Sequence, residues 1–286
     1  MIHSLRDEFD LVVLCAVLGV SRSGYHAWLH RPASATVARR EALIERIRAI
    51  HADSDRVYGS VRIHRDLRER KIDISVNSVA KYMRIAGLRS KMQKKVKVRT
   101  TDSNHDRPVF ENVLDRDFVA DGPNQKWLCD ITYIPTKEGF VYLSAVLDCF
   151  SRKIVGWSLS DSLERTVCMD ALKMAIANRR KMAGGVAGLL HHSDRGCQYA
   201  SEDYQALLEA WEMRVSMSRV GNCWDNAMME SFFGSLKKER VHHETYETMA
   251  QARSSVIGWI EGWYNRRRRH SGINYKSPEQ FEAELN

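Results

Sequence analysis

The sequence lacks any long apolar run. The longest, Leu11 to Val20, has ten residues, well short of the roughly 20 that a helix needs to cross a bilayer. Acidic residues at Asp7, Glu8 and Asp10 precede this run, whereas a secretory signal peptide begins with a basic segment. We therefore expect a cytoplasmic protein with no membrane partner.

Several chemical motifs are also missing. No C-x-x-C pair occurs among the six cysteines, which argues against a zinc ribbon and against the disulfide framework of a secreted protein. Free, buried thiols are expected instead. No GxxxxGK[ST] loop is present to bind nucleotide phosphates, so ATP dependence is not indicated. No nucleophile-elbow glycines support a Ser-His-Asp enzyme.

Positive charge is abundant and unevenly placed. The 286 residues carry a net charge of +8 and are 44% apolar, enough for a core in one large domain or two to three small ones. Residues 81–100 contain eight Lys or Arg and no acid, and a second basic block lies near the C-terminus. Such blocks predict contacts with DNA backbone, although a solvated basic linker is an alternative. The predicted DNA-contacting residues in these blocks are Lys91, Lys94, Lys95, Lys97, Arg99, Arg266, Arg267, Arg268 and Arg269.

The first ninety residues have helical patterns. LVVLCAVLGVSRSGYHAWL has the layout of a helix-turn-helix. Apolar residues recur at helical spacing in REALIERIRAIHA and GSVRIHRDLRERK, and SVNSVAKYMRIAGL has a candidate cap at Ser75 or Asn77 and closes at Gly87. These features predict a DNA-reading module, although many helical bundles share them.

The pattern changes after a polar, proline-broken segment at residues 101–123. Three short β-rich runs (KWLCDITYI, FVYLSAVLDCF and KIVGWSLS) are followed by alternating helical and strand-like runs, giving the order β-β-β-α-β-α-β-α. This order predicts an α/β, ribonuclease H-like fold: a mixed five-stranded sheet with flanking helices, preceded by a small all-α, helix-turn-helix-like region.

The expected domain organisation has five parts. They are an N-terminal helical segment (1–45), a basic helical DNA-binding domain (46–100), a linker (101–123), the catalytic core (124–240) and a C-terminal helical basic tail (241–286).

Three carboxylates stand out in the predicted core. Asp130 interrupts an apolar strand, where an ionised group needs compensation. Asp194 follows a strand, at the edge where α/β sheets place ligands. Glu230 lies on a helix beside the apolar stripe of Met229, Phe232, Phe233 and Leu236. Lys237, two turns later, is a candidate for holding a DNA phosphate.

A cluster of like charges is stabilised by cations, and carboxylate oxygens select Mg²⁺ or Mn²⁺. Two such ions, about 4 Å apart, support in-line phosphoryl displacement. Each residue taken singly has a structural alternative: a strand acid paired with a buried arginine, a turn-forming acid, or a solvated helix face. Asp148 is the main rival carboxylate, with a turn-capping role favoured, and His191 and His192 are expected to bond to backbone rather than to act in catalysis.

The motifs NQKWLCDITYI, LDCFSRKIVGW, HHSDRGCQYAS, SMSRVGNCWDNAMMESFFGSLKKE and YNRRRRHSGINYKSPEQF resemble those of catalytic-frame (OrfB-type) transposases of the IS-three insertion-sequence family, which share the retroviral-integrase core. The resemblance runs from about Tyr58 to Phe281. It implies that Asp130, Asp194 and Glu230 are the DDE residues and that Lys237 is the basic residue seven places after the glutamate. It also implies Mg²⁺ (or Mn²⁺), two ions per site, as cofactor.

The resemblance implies partners as well. These are double-stranded DNA at the element ends and the target, further copies of the chain on DNA, and an upstream frame product with a helix-turn-helix and a leucine zipper, a pattern this sequence lacks. The implied setting is the bacterial cytoplasm, with nucleoid association when DNA is bound. Ser60 and Val61, and Arg195 and Cys197, depart from the family's usual residues but do not touch the triad.

Two other functions remain open at this point. A DNA-binding regulator would use the N-terminal helices and an inert core, and the intact triad argues against it. A ribonuclease H-like nuclease would hydrolyse DNA without transferring strands; the metal chemistry is shared, so the residues alone do not exclude it. The basic segments and the family resemblance favour 3′-OH-directed cleavage and strand transfer.

Overall fold

The computed structural model describes residues 1–32, 34–92, 110–182, 185–219 and 223–285. At the N-terminus, α1 (Ile2–Leu5), α2 (Leu11–Val17) and α3 (Arg22–Leu29) form a small helical segment. The Asp10 side chain accepts a hydrogen bond from the Val12 amide (2.6 Å) and Ser21 accepts one from the Gly24 amide (3.0 Å), so both helices begin with the side-chain caps typical of Asp and Ser.

No single helix in the described ranges is both long and apolar enough to cross a membrane. Among the described helices, one pair, α2 and α3, would together have the length and apolar composition of a membrane span, but the two axes meet at a bend of 106°.

The second helical unit contains α4 (Ala35–Asp53), α5 (Ser60–Glu69) and α6 (Val76–Ile85). Buried aliphatic side chains from all three helices, including Ile47, Ile63 and Val79, form its core. The Ser75 hydroxyl accepts a hydrogen bond from the Ser78 amide (3.1 Å), and Gly87 adopts φ = 69° two residues after α6 ends. The predicted cap and the glycine stop are both confirmed.

The sheet contains β1 (Lys126–Thr136), β2 (Gly139–Asp148), β3 (Ile154–Ser160), β4 (Leu190–Ser193) and β5 (Arg214–Met217). Its spatial order is β3-β2-β1-β4-β5, with β1, β2 and β3 antiparallel and β4 and β5 parallel to β1. The intervening helices are α7 (Arg165–Arg179), α8 (Glu202–Ala210) and α9 (Ala227–Glu239). The predicted element order and the ribonuclease H-like fold are confirmed.

Alternating side chains of β1 supply two separate cores. Trp127 and Cys129 pack with α7 and α8 on one face, whereas Leu128 packs with α9 on the other. This follows from the two-residue period of a strand. At Gly156, β3 lies so close to α7 that an added Cβ would be 2.2 Å from the carbonyl oxygen of Ala171.

The C-terminal segment completes the second face of the core. It contains α10 (Met249–Ile257), a π-helical continuation (Gly258–Tyr264) and α11 (Pro278–Ala283). Ala252, Val256, Ile260 and Tyr264 are buried in the same cluster as α9 and β2. The segment is helical as predicted, but it packs as part of the core and does not form a tail.

The cysteines agree with the prediction of free thiols. Cys15, Cys129, Cys149 and Cys168 are free and buried, whereas Cys197 is partly exposed. Burial raises the pKa of the Cys168 thiol to about 12, so this group stays protonated at neutral pH.

Candidate active site

Asp130 lies in the middle of β1, and Asp194 directly follows β4, the neighbouring parallel strand. Leu128 of β1 is in register with His192 of β4, and each aspartate lies two residues further along its own chain. Because the strands run in the same direction about 4.8 Å apart, this register brings the two aspartates side by side, where β4 has ended and β1 continues. The Asp130 carboxylate also accepts a hydrogen bond from the Ile131 amide (2.7 Å).

Glu230 lies in the first turn of α9, which packs against β1. Asn226, the residue before the helix, is buried, and its side-chain amide donates to the carbonyl oxygen of Cys129 (3.2 Å). This bond ties the start of α9 to the residue next to Asp130. Met229 and Phe232 face the core while Glu230 remains exposed, as the apolar stripe predicts.

The Asp130 carboxylate is repelled by the charges of both Asp194 and Glu230. Asp130 keeps some solvent exposure, yet its carboxyl is largely desolvated, and this burial raises its pKa well above the ordinary value. The negative charges of Asp194 and Glu230 raise the pKa further. Like charges held together oppose ionisation, so the site lacks positive charge.

Lys237 supplies only part of the positive charge that the carboxylates require. Its ammonium group lies 4.8 Å from the centre of the Tyr133 ring, a cation–π contact. Burial lowers the pKa of Lys237, while the Asp130 carboxylate acts in the opposite direction. Lys237 therefore lies on the same side of α9 as the carboxylates, as its spacing from Glu230 predicts.

The donor chemistry of the three acids fits a hard divalent cation. All three provide carboxylate oxygens, the ligands that Mg²⁺ and Mn²⁺ prefer, and their mutual repulsion is relieved by added positive charge. Among the described residues, no set of three or more His, Cys, Asp or Glu side chains is already arranged to hold a metal ion. Asp130, Asp194 and Glu230 are the residues that could do so.

The two strand histidines have structural roles. His191 shares a hydrogen bond with the Tyr204 hydroxyl (2.9 Å), and His192 shares one with Ser216 (2.8 Å) and one with Ser218 (3.0 Å). Their partners are side-chain hydroxyls, not the backbone groups that we expected. Burial lowers the pKa of His191 to about 3 and that of His192 to about 4, so both are neutral at pH 7.

Asp148, the rival carboxylate, is fully buried at the end of β2. It accepts hydrogen bonds from the backbone amides of Asn124 (2.8 Å) and Phe150 (3.0 Å). These bonds agree with the turn-capping role expected for it. In the same turn, the Ser151 hydroxyl donates to the carboxylate of Glu282 (2.6 Å).

The basic blocks are only partly accessible. Lys94, Lys95, Lys97 and Arg99 lie outside the described residues. Lys91 forms an ion pair with Asp55 (2.5 Å). Arg266 and Arg267 are exposed, with Arg266 3.6 Å from Glu279.

Arg268 and Arg269 are buried and ion-paired, so their predicted place in an exposed DNA-binding arm does not fit the structure. Arg268 donates to both carboxylate oxygens of Glu239 (2.6 to 3.0 Å). Arg269 pairs with Asp66 and with Glu69 (2.5 Å) of α5. Both charges are used inside the protein because the fold brings distant carboxylates to them, a pairing that local sequence does not reveal.

Sequence reasoning missed the role of Asn226 in positioning α9. The signal was a polar residue directly before an apolar helical stripe, which marks a helix start but does not reveal the contact with β1. Tyr133 was missed for a similar reason. Its ring meets Lys237 only because β1 and α9 pack together.

Family models match most of the chain. Two models of the integrase core domain match residues 120–223 and 212–278, and a model of an HTH-like domain matches residues 38–96. Together with the fold, these matches define an integrase-core enzyme that acts on DNA and carries a helix-turn-helix-like module.

Similar proteins show which kind of integrase-core enzyme the chain is. The chain is 41% identical over 283 residues to the Escherichia coli transposase InsF for insertion sequence IS3A, covering 98% of this chain and 96% of that protein. It is 38% identical over 268 residues to a 31 kDa protein of insertion element IS600 from Shigella sonnei, covering 94% and 97%. The chain belongs to the IS3 family of insertion-sequence transposases.

Solved integrase structures also align with the chain. A simian T-cell lymphotropic virus intasome chain aligns at TM-score 0.46 and 16% identity, covering 82% of this chain and 74% of that one. The catalytic core domain of HTLV-2 integrase, solved with magnesium in a dimeric form, aligns at TM-score 0.42 and 18% identity, covering 56% and 97%.

Proposed function

We propose that Asp130, Asp194 and Glu230 are the catalytic carboxylates of this transposase and that they hold two divalent metal ions, Mg²⁺ or Mn²⁺. The observation that carries the proposal is the register of the parallel strands β1 and β4, in which Leu128 and His192, each two residues before an aspartate, are paired. The Asn226 bond that positions α9 beside β1 supports the same grouping, as do the charges of Asp194 and Glu230, which add to burial in raising the pKa of Asp130.

The reaction that fits this site is cleavage at the ends of the element, followed by attack of the freed 3′-OH on DNA. When bound, the ions would activate the attacking oxygen and stabilise the leaving oxygen. The protein's own part is to position the three carboxylates and to hold the DNA end through Lys237. No covalent bond between protein and DNA is required.

The substrates are double-stranded DNA at the element ends and at the target. Because two ends must be joined, we propose that the chain acts as a homo-oligomer on DNA. An upstream helix-turn-helix and leucine-zipper frame product is proposed as an additional partner in recognising the ends. Lys91, Arg266 and Arg267 are the described members of the basic blocks that remain candidates for phosphate contact.

The direct test is a Mg²⁺-dependent strand-transfer assay with the purified chain and labelled DNA carrying the element ends. Wild type should give joined products, whereas Asp130→Asn, Asp194→Asn and Glu230→Gln should give neither cleavage nor joining and should still bind DNA. Cleavage without joining would favour a nuclease or the need for the upstream product, and binding alone would favour a regulator.

Matched controls test whether activity is lost only when a carboxylate of the site is removed or when any carboxylate is removed. Asp170 of α7 and Glu209 of α8 are exposed acids, so Asp170→Asn and Glu209→Gln should keep full activity. Normal cleavage by any one triad variant would remove that residue from the site.

The role of Lys237 has its own comparison. Lys237→Ala should weaken binding to an element end, while Lys238→Ala, one position further along α9, should change it less. Equal binding by the two variants would remove Lys237 from the proposed DNA contact.

A further inference from the structure

A basic cavity lies where the second helical unit meets the catalytic core, on a different side of α9 from Glu230 and Lys237. Its volume is about 230 Å³, the space of roughly eight water molecules at about 30 Å³ each. Three arginines line it: Arg62 from α5, Arg152 from the turn after β2, and Arg268. His270 completes the basic lining, and no Asp or Glu is present among the described lining residues.

The three guanidinium groups converge on His270. Arg268 lies 3.2 Å from a ring nitrogen of this histidine. Burial lowers the pKa of His270 well below its ordinary value, and the charges of Arg268, Arg152 and Arg62 lower it further. His270 is therefore neutral and contributes no charge of its own, while the arginines face one another across a small volume.

Positive charge in this cavity exceeds the available negative charge. Glu239 pairs with Arg268 and offsets one guanidinium. Arg62 donates to a neutral acceptor, the carbonyl oxygen of Arg269 (3.1 Å). The Arg152 guanidinium forms no hydrogen bond or ion pair with any other described side chain and lies flat against Gly272, where an added Cβ would be 2.5 Å from Nη2. Counting the described residues alone, two of the three guanidinium charges are thus left without a carboxylate partner.

We propose that this cavity is a binding site for a phosphate group, separate from the carboxylate site. Partly buried cations without counterions are costly, and the planar fork of arginine matches phosphate oxygens in two-point hydrogen bonds. The hydroxyls of Ser231 and Ser235, which also line the cavity, provide further donors. Ser231, Ser271 and Gly272 are exposed, so the cavity reaches the surface.

Two sources can provide the phosphate: the backbone of bound DNA or a free anion. Ser231 directly follows Glu230 on α9, about 100° further around a helix of 3.6 residues per turn. DNA bound at the carboxylates could therefore reach the rim of the cavity. One DNA-binding measurement and one melting measurement distinguish the two sources. Both are made in EDTA, so that a failure of the carboxylate proposal does not affect them.

The first measurement is binding of a short blunt DNA duplex of arbitrary sequence, followed by fluorescence anisotropy across a series of salt concentrations. Arg152→Gln should reduce the slope of log K against log salt by about 0.9, the value for one lost phosphate contact. Arg214→Gln removes an exposed arginine on β5 and should leave the slope unchanged. Arg152→Lys keeps the charge, so its slope of log K against log salt should stay close to that of wild type.

The second measurement is the melting temperature in inorganic phosphate against chloride at equal ionic strength. Phosphate stabilises proteins generally, so only the difference between variants counts. Phosphate should raise the melting temperatures of wild type and Arg214→Gln more than it raises that of Arg152→Gln. Without phosphate, Arg152→Gln should melt near wild type, because the side chain gives up no hydrogen bond.

The outcomes separate the sources. A reduced salt slope in Arg152→Gln assigns the site to DNA backbone phosphate. An unchanged slope with a lost phosphate effect on melting assigns it to a free anion. Wild-type behaviour of Arg152→Gln in both measurements would overturn the proposal.

Discussion

The buried pair of Glu239 and Arg268 offers a quantitative test of the packing. Their side chains are 0% and 6% exposed, and the carboxylate also receives a weak contact from the indole nitrogen of Trp263 (3.4 Å). The change Glu239→Gln preserves the shape of the side chain but removes its charge. The guanidinium of Arg268 is then left in the protein interior without a counterion.

The expected loss in the free energy of unfolding is large. Breaking a buried ion pair by removing one partner costs about 3–5 kcal/mol, because the remaining charge is uncompensated. At about 2–4 °C per kcal/mol for a chain of this size, the melting temperature should fall by roughly 6–20 °C. The exposed pair of Glu45 and Arg48, 3.6 Å apart and 71% and 51% exposed, is the matched control. Glu45→Gln should cost less than about 1 kcal/mol.

A double variant tests whether charge is the cause. Replacing both partners, as Glu239→Leu with Arg268→Met, removes the buried charge and keeps apolar volume, a change that is often neutral or stabilising. It should recover most of the stability lost in Glu239→Gln. Melting followed by circular dichroism would measure all four proteins under one condition.

Two results would refute this reasoning. If Glu239→Gln costs no more than Glu45→Gln, the pair is effectively solvated. If the double variant is no more stable than Glu239→Gln, the loss comes from packing and not from an unpaired charge.

Three further predictions follow from the site and its surroundings. In EDTA at pH 7, Asp130→Asn should melt at a higher temperature than wild type. A carboxyl whose pKa is raised in the folded protein destabilises the fold once the pH exceeds the pKa of the same group in the unfolded chain. A lower melting temperature would contradict this. On acidification from about pH 7 to about pH 5, the neutral His191 should lower the free energy of unfolding by about 2 kcal/mol. The reason is that this histidine takes up a proton below about pH 6.5 in the unfolded chain but not in the folded one. His191→Phe should show a correspondingly smaller loss on acidification, and an equal loss would refute the assignment. Gly156→Ala should destabilise the protein by about 3 kcal/mol in chemical denaturation, because its Cβ would collide with the α7 backbone; a change below about 1 kcal/mol would show that β3 and α7 can separate.

The sequence was sufficient for the catalytic sheet and for much of the candidate site. Strands with β-rich composition and short turns predicted the meander, and alternation with helices predicted the two parallel strands. Asp130 could be assigned to the middle of a strand, and Asp194 to the end of one, because each stands in or directly after an apolar run. Glu230 could be assigned to a helix face because the stripe of Met229 and Phe232 has helical periodicity.

The buried arginines could not be predicted in the same way. Arg268 and Arg269 stand in a run of four basic residues, which by composition is typical of a solvated phosphate-binding segment. Their partners Glu239, Asp66 and Glu69 are between 29 and 203 positions away along the chain. Only the packing of the C-terminal segment against α9 and α5 shows that these charges are internal. The hydroxyl partners of the strand histidines depend on tertiary contacts for the same reason.

The junction between α5 and the C-terminal segment has a consequence for the position of cleavage. The Tyr58 hydroxyl donates to the carbonyl oxygen of Arg267 (3.1 Å) and accepts from the amide of Arg269 (2.9 Å). The helix-turn-helix-like module is therefore fixed to the enzyme at the backbone as well as through side-chain charges. If this module holds the end of the element, the number of base pairs between the recognised sequence and the cut is set by the length of a protein junction and not by a flexible tether.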